Sequence, residues 1–136
     1  MPGWLQRLFA RRAAAPAPLK GKRPVARVKS YTALSGYVYE YVYEGYREDA
    51  DARTHVFTVS SDRKEWFNLD VAIPFSALAE WEGARGRTLN EAERYAVAKL
   101  ALFAAFDGRD GPLALRAQPV RPGPTQIGEL LDSIDF

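Results

Sequence analysis

Tyrosines alternate with valines and glutamates between residues 37 and 44, and this alternation limits the possible fold more than any other feature of the chain. The tyrosines are Tyr37, Tyr39, Tyr41 and Tyr43, and the residues between them are Val38, Glu40, Val42 and Glu44. A period of two places the two sets on opposite faces of a β-strand. Because one strand cannot bury such a row of tyrosines by itself, elements further along the chain must cover that face.

Further strands are predicted on both sides of a charged loop. The segment from residue 25 to residue 46 is extended but interrupted at Ser35 and Gly36, which predicts either a bulge in one long strand or a tight two-residue hairpin. Residues 47–54 form the charged loop, and strands follow at 55–60 and 65–73, separated by a turn. The odd-numbered residues of these strands are mostly aromatic or aliphatic, so we expect an antiparallel meander with one buried face.

Two helices are predicted after the strands. The first has Ser76 as its N-cap and ends near Gly83 or Gly86. The second opens with the spacing of a capping box, Thr88–Glu91, and ends at Gly108. Alanines separate its large apolar residues, so it can lie close to the sheet and cover the tyrosine face. The predicted fold class is therefore α+β: a three- or four-stranded antiparallel sheet with one face covered by two consecutive C-terminal helices.

The end of the chain carries an acidic amphipathic pattern. Residues 113–120 alternate weakly and could add an edge strand, and prolines and a glycine then break the structure. Apolar side chains next recur at helical spacing. This predicted partner-binding set consists of Ile127, Leu130, Leu131, Ile134 and Phe136. We expect the helix either to fold back on the sheet face of Val38, Val42, Val56 and Trp66, or to bind a groove of another protein. Contact with the basic N-terminal arm is a third alternative.

Charge is segregated along the chain. Residues 1–39 hold eight basic side chains and no Asp or Glu, whereas the remainder holds eleven basic and seventeen acidic ones. A basic arm of this kind can bind a polyanion, because its cations release the counterions condensed on phosphates. The predicted polyanion-binding residues are Arg7, Arg11, Arg12, Lys20, Lys22, Arg23, Arg27 and Lys29. The alternative is a solvated terminus that only keeps the protein soluble.

The length of 136 residues is sufficient for one domain. We divide the chain into a basic flexible arm at 1–24, a core domain at 25–108, and a linker with an acidic tail at 109–136. Within the arm, the apolar residues between Trp4 and Phe9 lie at helical spacing opposite arginines. This short amphipathic helix is expected either to dock on the domain's own surface or to bind a membrane surface weakly.

Several kinds of chemistry are excluded or disfavoured. The chain has no cysteine, which excludes disulfides, thiolate ligands and a cysteine nucleophile. His55 is the only histidine, and we interpret it as structural or exposed. The pairs Asp49/Asp51 and Asp107/Asp110 do not match a calcium loop and are explained by turns. We predict no catalytic residue, no metal site and no cofactor, and we expect a cytoplasmic location.

The predicted function is that of a small non-enzymatic interaction module. Its basic arm would bind nucleic acid or another polyanion, and its tail would bind a protein partner. A base-stacking platform on the tyrosine face is disfavoured, because the core needs those rings and glutamates occupy the same strand. The alternatives are a peripheral membrane factor, a self-associating subunit that covers its apolar sheet face by forming a homo-oligomer, and an enzyme that uses His55 with nearby carboxylates.

Overall fold

The computed structural model describes residues 19–22 and 26–134, in which four strands are followed by four helices. The strands are β1 (Lys29–Thr32), β2 (Val38–Glu48), β3 (Ala52–Ser60) and β4 (Phe67–Pro74). The helices are α1 (Phe75–Arg85), α2 (Glu91–Gly108), α3 (Gly111–Arg116) and α4 (Pro124–Ser133). The predicted α+β class is confirmed, and the sheet has four strands.

The strands form an antiparallel sheet in the order β1-β2-β3-β4, so each strand pairs with its neighbour in sequence. Tyr41 pairs with Val59, and Phe57 pairs with Leu69. Residues that pair directly point to the same side of a sheet. The apolar side chains of β2, β3 and β4 therefore share one face, and the helices cover it.

Ser35 and Gly36 lie in a hairpin loop between β1 and β2. The loop is closed by the Ala33 N–H, which donates to the Tyr37 carbonyl oxygen at 2.8 Å, and by the Gly36 N–H, which donates to the Ala33 carbonyl oxygen at 2.9 Å. Gly36 has a φ of 95°, which glycine adopts without a Cβ clash. Of the two alternatives, the hairpin is the one present, with a loop longer than two residues.

The charged segment at 47–54 is mostly strand, contrary to the prediction. Glu48 ends β2, and Arg53 lies inside β3 with only 6% of its surface exposed. Only residues 49–51 form the loop, where Asp49 Oδ1 accepts hydrogen bonds from the N–H groups of Asp51 and Ala52 at 2.7 and 2.9 Å. Cross-strand pairing between β2 and β3 outweighs the low strand preference of these charged residues.

The helix α1 begins one residue before its predicted cap. Its N-cap is Pro74, and no side chain there accepts a hydrogen bond, so Ser76 does not act as the cap. The helix ends at Arg85, and its C-cap is Gly86, which has a φ of 65° and lies in the left-handed region. Gly86 is one of the two predicted ends, and glycine is the residue that this conformation favours.

The helix α2 begins with a capping box that lies two residues beyond the predicted one. The Asn90 side chain accepts from the Glu93 N–H at 2.8 Å, and the Glu93 carboxylate accepts from the Asn90 N–H at 3.0 Å. Thr88 and Glu91 have the same spacing, but residues 87–90 are not helical. Asn and Ser or Thr are comparable caps, so spacing alone does not separate the two boxes.

Aromatic rings fill the space between the sheet and α2. The rings of Tyr39 and Phe106 stack with centroids 4.6 Å apart, and those of Tyr31 and Phe103 stack at 4.2 Å. Tyr39 is completely buried, whereas Tyr37, at the start of the tyrosine row, is 46% exposed. The helix α2 therefore covers the central part of the predicted tyrosine face.

The Tyr39 hydroxyl is a buried polar group with no hydrogen-bond partner among the described residues. Such a group costs about 1–3 kcal/mol. Tyr39→Phe removes the hydroxyl and keeps the ring, so we expect the free energy of unfolding to stay unchanged or to rise by about 1 kcal/mol. Urea denaturation measures this difference.

The matched control is Tyr31→Phe. The Tyr31 hydroxyl donates to Asp107 Oδ2 at 2.6 Å, so this variant should lose about 1 kcal/mol of stability. A clear loss of stability in Tyr39→Phe would contradict the prediction, because it would mean that the Tyr39 hydroxyl has a partner in solution.

The chain after α2 is helical where an edge strand was predicted. Pro112 lies in the first turn of α3, a position that proline favours. Of the described residues after α2, only Val120 pairs with the sheet, in a parallel bridge to Val71 of β4. The helix α4 then packs against α1 and α2, and its Ile127 and Leu131 side chains are fully buried.

The tail therefore does not fold back on the opposite sheet face, which was one of the predicted alternatives. Its apolar side chains pack against α1 and α2, where they extend the hydrophobic core. On the opposite face, Trp66 remains 38% and Val38 47% exposed, whereas Val56 is buried.

Candidate functional site

A β-bulge changes which side chains of β2 face the helices. The pairing register with β3 shifts between Tyr43 and Gly45, so Glu44 is the extra residue. An extra residue reverses the alternation of side chains beyond it. Tyr46, which pairs with His55, therefore lies on the same face as Tyr43.

Residues 19–22, which we call the edge segment, lie along the outer edge of β2. Lys20 and Tyr46 exchange two backbone hydrogen bonds of 2.9 and 2.8 Å. Gly45 permits this approach, because a Cβ at that position would lie 2.5 Å from the Lys20 carbonyl oxygen. Gly21 lies against the Tyr46 ring, since a Cβ on Gly21 would come within 2.9 Å of it.

His55 is 2% exposed, and its Nδ1 is hydrogen-bonded to the Tyr43 hydroxyl oxygen at 2.9 Å. Its Nε2 has no hydrogen-bond partner within the part of the chain that the structure describes. Burial lowers the pKa of His55 to about 4, and the positive charge of Arg53 acts in the same direction. The imidazole is therefore neutral at pH 7, and Nε2 is a donor in one tautomer and an acceptor in the other.

Arg53 connects the sheet to the start of α2. Its Nη1 donates to Glu91 Oε2 at 2.6 Å, and its Nε donates to Glu48 Oε2 at 3.2 Å. The guanidinium carbon lies 3.9 Å from the centroid of the Tyr46 ring. The hydrogen bond from Arg53 lowers the pKa of Glu91. This cation is thus paired with two carboxylates, and it holds Tyr46 in place instead of attracting a free anion.

These residues line a cavity of about 220 Å³, which we call the tyrosine cavity. Its lining includes the rings of Tyr43, Tyr46 and Tyr95, together with His55 and with Gly21 of the edge segment. Cavities with apolar walls and a few polar groups are typical of binding sites for small molecules. Aromatic walls beside a neutral imidazole suit a planar, uncharged group.

Four of the predicted polyanion-binding residues lie in the described part of the chain. Lys20, Lys22 and Arg27 are exposed, and Lys29 is half-buried in β1. None of these four side chains forms an ion pair with another described residue. The ion pairs of this part of the chain instead join carboxylates to Arg47, Arg53, Arg63, Arg85, Arg87 and Arg116. Arg7, Arg11, Arg12 and Arg23 lie outside the described residues, and so does the predicted amphipathic helix.

The predicted partner-binding residues have a different position from the one expected of a free ligand helix. Ile127 and Leu131 are fully buried, and Leu130 and Ile134 are half-buried against the same core. Phe136 lies outside the described residues. The groove into which this helix fits is formed by α1 and α2 of its own domain, so the packing does not present Ile127 and Leu131 to another protein.

The sheet face opposite the helices carries charges that neutralise one another. Arg47 pairs with Asp70 at 2.5 Å, and Arg63 pairs with Glu40. A cavity of about 450 Å³ lies on this side, lined in part by Arg47, Asp70 and Val56. Because its charged groups already form ion pairs within the protein, this cavity has fewer free polar groups to bind a ligand than the tyrosine cavity.

Within residues 19–22 and 26–134, no three His, Asp or Glu side chains come close enough together to hold a metal ion. The helices of this part of the chain are all too short or too polar to cross a bilayer.

Comparison with models of protein families, with curated proteins and with solved structures finds no match for this chain.

The sequence pattern does not single out most residues of the tyrosine cavity. One signal is present: the spacing of the tyrosines changes from two to three between Tyr43 and Tyr46, with Gly45 between them, and such a break is typical of a bulge. Arg53 lies in a segment whose composition favours a loop. Glu91 belongs to a distant helix, and no local pattern connects it to His55.

Proposed function

We propose that this protein is a small non-enzymatic module that binds nucleic acid through basic side chains on the edge of β2 and in the arm that precedes it. The observation that carries the proposal is the absence of ion pairs at Lys20, Lys22, Arg27 and Lys29 among the described residues. Many arginines elsewhere on the domain are already paired with carboxylates. Unpaired cations are the ones free to replace counterions on phosphates.

The position of these cations also favours a polyanion. Lys20 extends from backbone that is hydrogen-bonded to Tyr46, and Lys29 extends from β1, which pairs with the same edge of β2. No carboxylate precedes Glu40 in the chain, so none interrupts the basic segment in sequence. Contacts to phosphates alone would bind nucleic acid without regard to sequence.

Non-enzymatic function is supported by the environment of His55. Its Nδ1 contacts the Tyr43 hydroxyl and not a carboxylate, and burial lowers its pKa to about 4. An imidazole with this pKa is a weak base near neutral pH. A protein partner of α4 is not part of the proposal, because the apolar stripe of that helix lies in the core.

The proposal predicts a change in the salt dependence of binding. For a labelled single-stranded oligonucleotide, log K should fall linearly with log salt, with a slope of about −0.7 for each phosphate contact. The double variant Lys20→Ala/Lys22→Ala should make this slope shallower by roughly 1.4, because two contacts are lost. Fluorescence anisotropy at several salt concentrations measures the slope.

The matched control is Lys64→Ala/Arg121→Ala, which removes the same charge from two other exposed positions. The control should keep the slope of the unchanged protein. Equal slopes for all three proteins would overturn the assignment of the edge segment as a phosphate contact.

A further inference from the structure

We propose that the tyrosine cavity binds one unstacked nucleobase of a single-stranded nucleic acid, while the phosphates next to that base contact the edge segment. This inference rests on the proposed function, and it adds the chemical group that the cavity recognises.

The walls of the cavity are suited to a base. Tyr39 and Tyr41 are buried in the core, but Tyr43 and Tyr46 are only half-buried and line the cavity together with Tyr95. The core therefore buries only part of the tyrosine face, and the half-buried rings of Tyr43 and Tyr46 form an accessible aromatic site at its end. Bases of single strands bind proteins largely by stacking on aromatic side chains, whatever their sequence.

His55 lines the cavity and has one ring nitrogen without a partner among the described residues. Its Nδ1 lies 2.9 Å from the Tyr43 hydroxyl oxygen, whereas its Nε2 forms no hydrogen bond with a described residue. The edges of bases carry both donors and acceptors, so a base can pair with Nε2 in either tautomer.

The charges around the cavity favour an uncharged base inside it and phosphates at its wall. Inside, Arg53 is paired with both Glu48 and Glu91, so an uncharged ring meets no unpaired carboxylate on this side. At the wall, Gly21 lies between Lys20 and Lys22 in sequence, and both lysines are exposed. A ring in the cavity therefore brings its own phosphate close to two cations.

The size of the cavity limits the ligand to a single ring system. Its volume of about 220 Å³ lies below the range of about 300–1,000 Å³ that is typical of ligand pockets. A cavity of this size suits one base better than a stack of bases. The wall formed by Gly21 has no side chain, so the edge segment narrows the cavity without filling it.

The experiment compares two labelled single-stranded oligonucleotides of equal length, one of thymidines and one abasic, by fluorescence anisotropy. Both carry the same phosphates, so only the bases differ. We expect the thymidine strand to bind about tenfold more tightly, which is in the range of one base stacked on aromatic side chains. Ala92→Phe, which fills the cavity from an exposed position in the first turn of α2, should abolish this preference.

The matched control is Ala79→Phe, at an exposed helical position in α1 that does not line the cavity. It should keep the preference for the thymidine strand, and urea denaturation checks that both phenylalanine variants are folded. Equal affinity for the two strands in the unchanged protein would overturn the inference. The inference would also be overturned if Ala92→Phe kept the preference for the thymidine strand over the abasic strand.

The outcomes also separate this inference from the proposed function. If Lys20→Ala/Lys22→Ala weakens binding of both strands but the bases make no difference, the phosphate site stands and the base site is lost. If free thymidine binds as tightly as the strand and only Ala92→Phe weakens it, the cavity does bind a base. In that case binding to the phosphates, and with it the proposed function, is overturned.

Discussion

Leu131→Ala should lower the free energy of unfolding by about 2–5 kcal/mol. Leu131 is completely buried on α4, which packs against α1 and α2. The substitution removes buried methyl groups and leaves a cavity that the surroundings only partly close. Because small domains are stable by only about 5–15 kcal/mol, the loss is a large share of the total. Urea denaturation measures it as a shift of the midpoint with an unchanged slope.

The control is Gln126→Ala, an exposed position on the same helix, which should change stability by less than about 0.5 kcal/mol. If Leu131→Ala unfolded at the same urea concentration as the unchanged protein, α4 would not be docked in solution. The amphipathic helix would then be free to bind a partner, which is one of the alternatives that the sequence alone leaves open.

Acidification from pH 7 to pH 4 should cost about 3 kcal/mol of stability through His55 alone. Burial, together with the positive charges of Arg53 and Arg94 and against the opposing charge of Glu91, lowers its pKa in the folded protein from 6.5 to about 4. Below pH 6.5 the unfolded chain therefore binds a proton that the folded protein does not. Stability falls as the pH drops through this window, by about 1.4 kcal/mol for each unit, and levels off below the folded pKa.

His55 is the only histidine of the chain, so His55→Gln isolates this contribution. Urea denaturation at pH 7 and at pH 4 gives, for each protein, the free energy of unfolding that is lost on acidification. The contribution of the carboxylates is common to both proteins and largely cancels when the two losses are compared. The loss should be about 3 kcal/mol smaller in the variant. Identical pH dependence would show that His55 is not held neutral in the folded protein.

The strands and long helices follow from local pattern, because side-chain period depends only on neighbours in sequence. Alternation in β2, β3 and β4 predicts one apolar face, and the alanine-rich stretch after residue 90 predicts the helix that covers it. The position of the helix caps is less determined. Thr88 and Asn90 each have a Glu three residues later, and only the packed structure selects Asn90.

The polar residues that join the sheet to α2 do not follow from local pattern. Arg53 belongs to a charged segment whose composition predicts a loop. It is nevertheless buried, because Glu48 of the neighbouring strand and Glu91 of α2 form ion pairs with it. One buried cation is stable only when such partners are present. Sequence spacing carries no information on partners that lie 38 residues away.

The sequence by itself determined the sheet, its apolar face and the helical end of the chain, since hydrophobic periodicity is a local property. Only the tertiary structure decided that the end helix packs into its own domain, because an amphipathic stripe does not specify what covers it. The tertiary structure also determined that the tyrosine cavity forms. One extra residue at Glu44 rotates Tyr46 to the side of His55, and the edge segment closes over it only because Gly45 has no side chain.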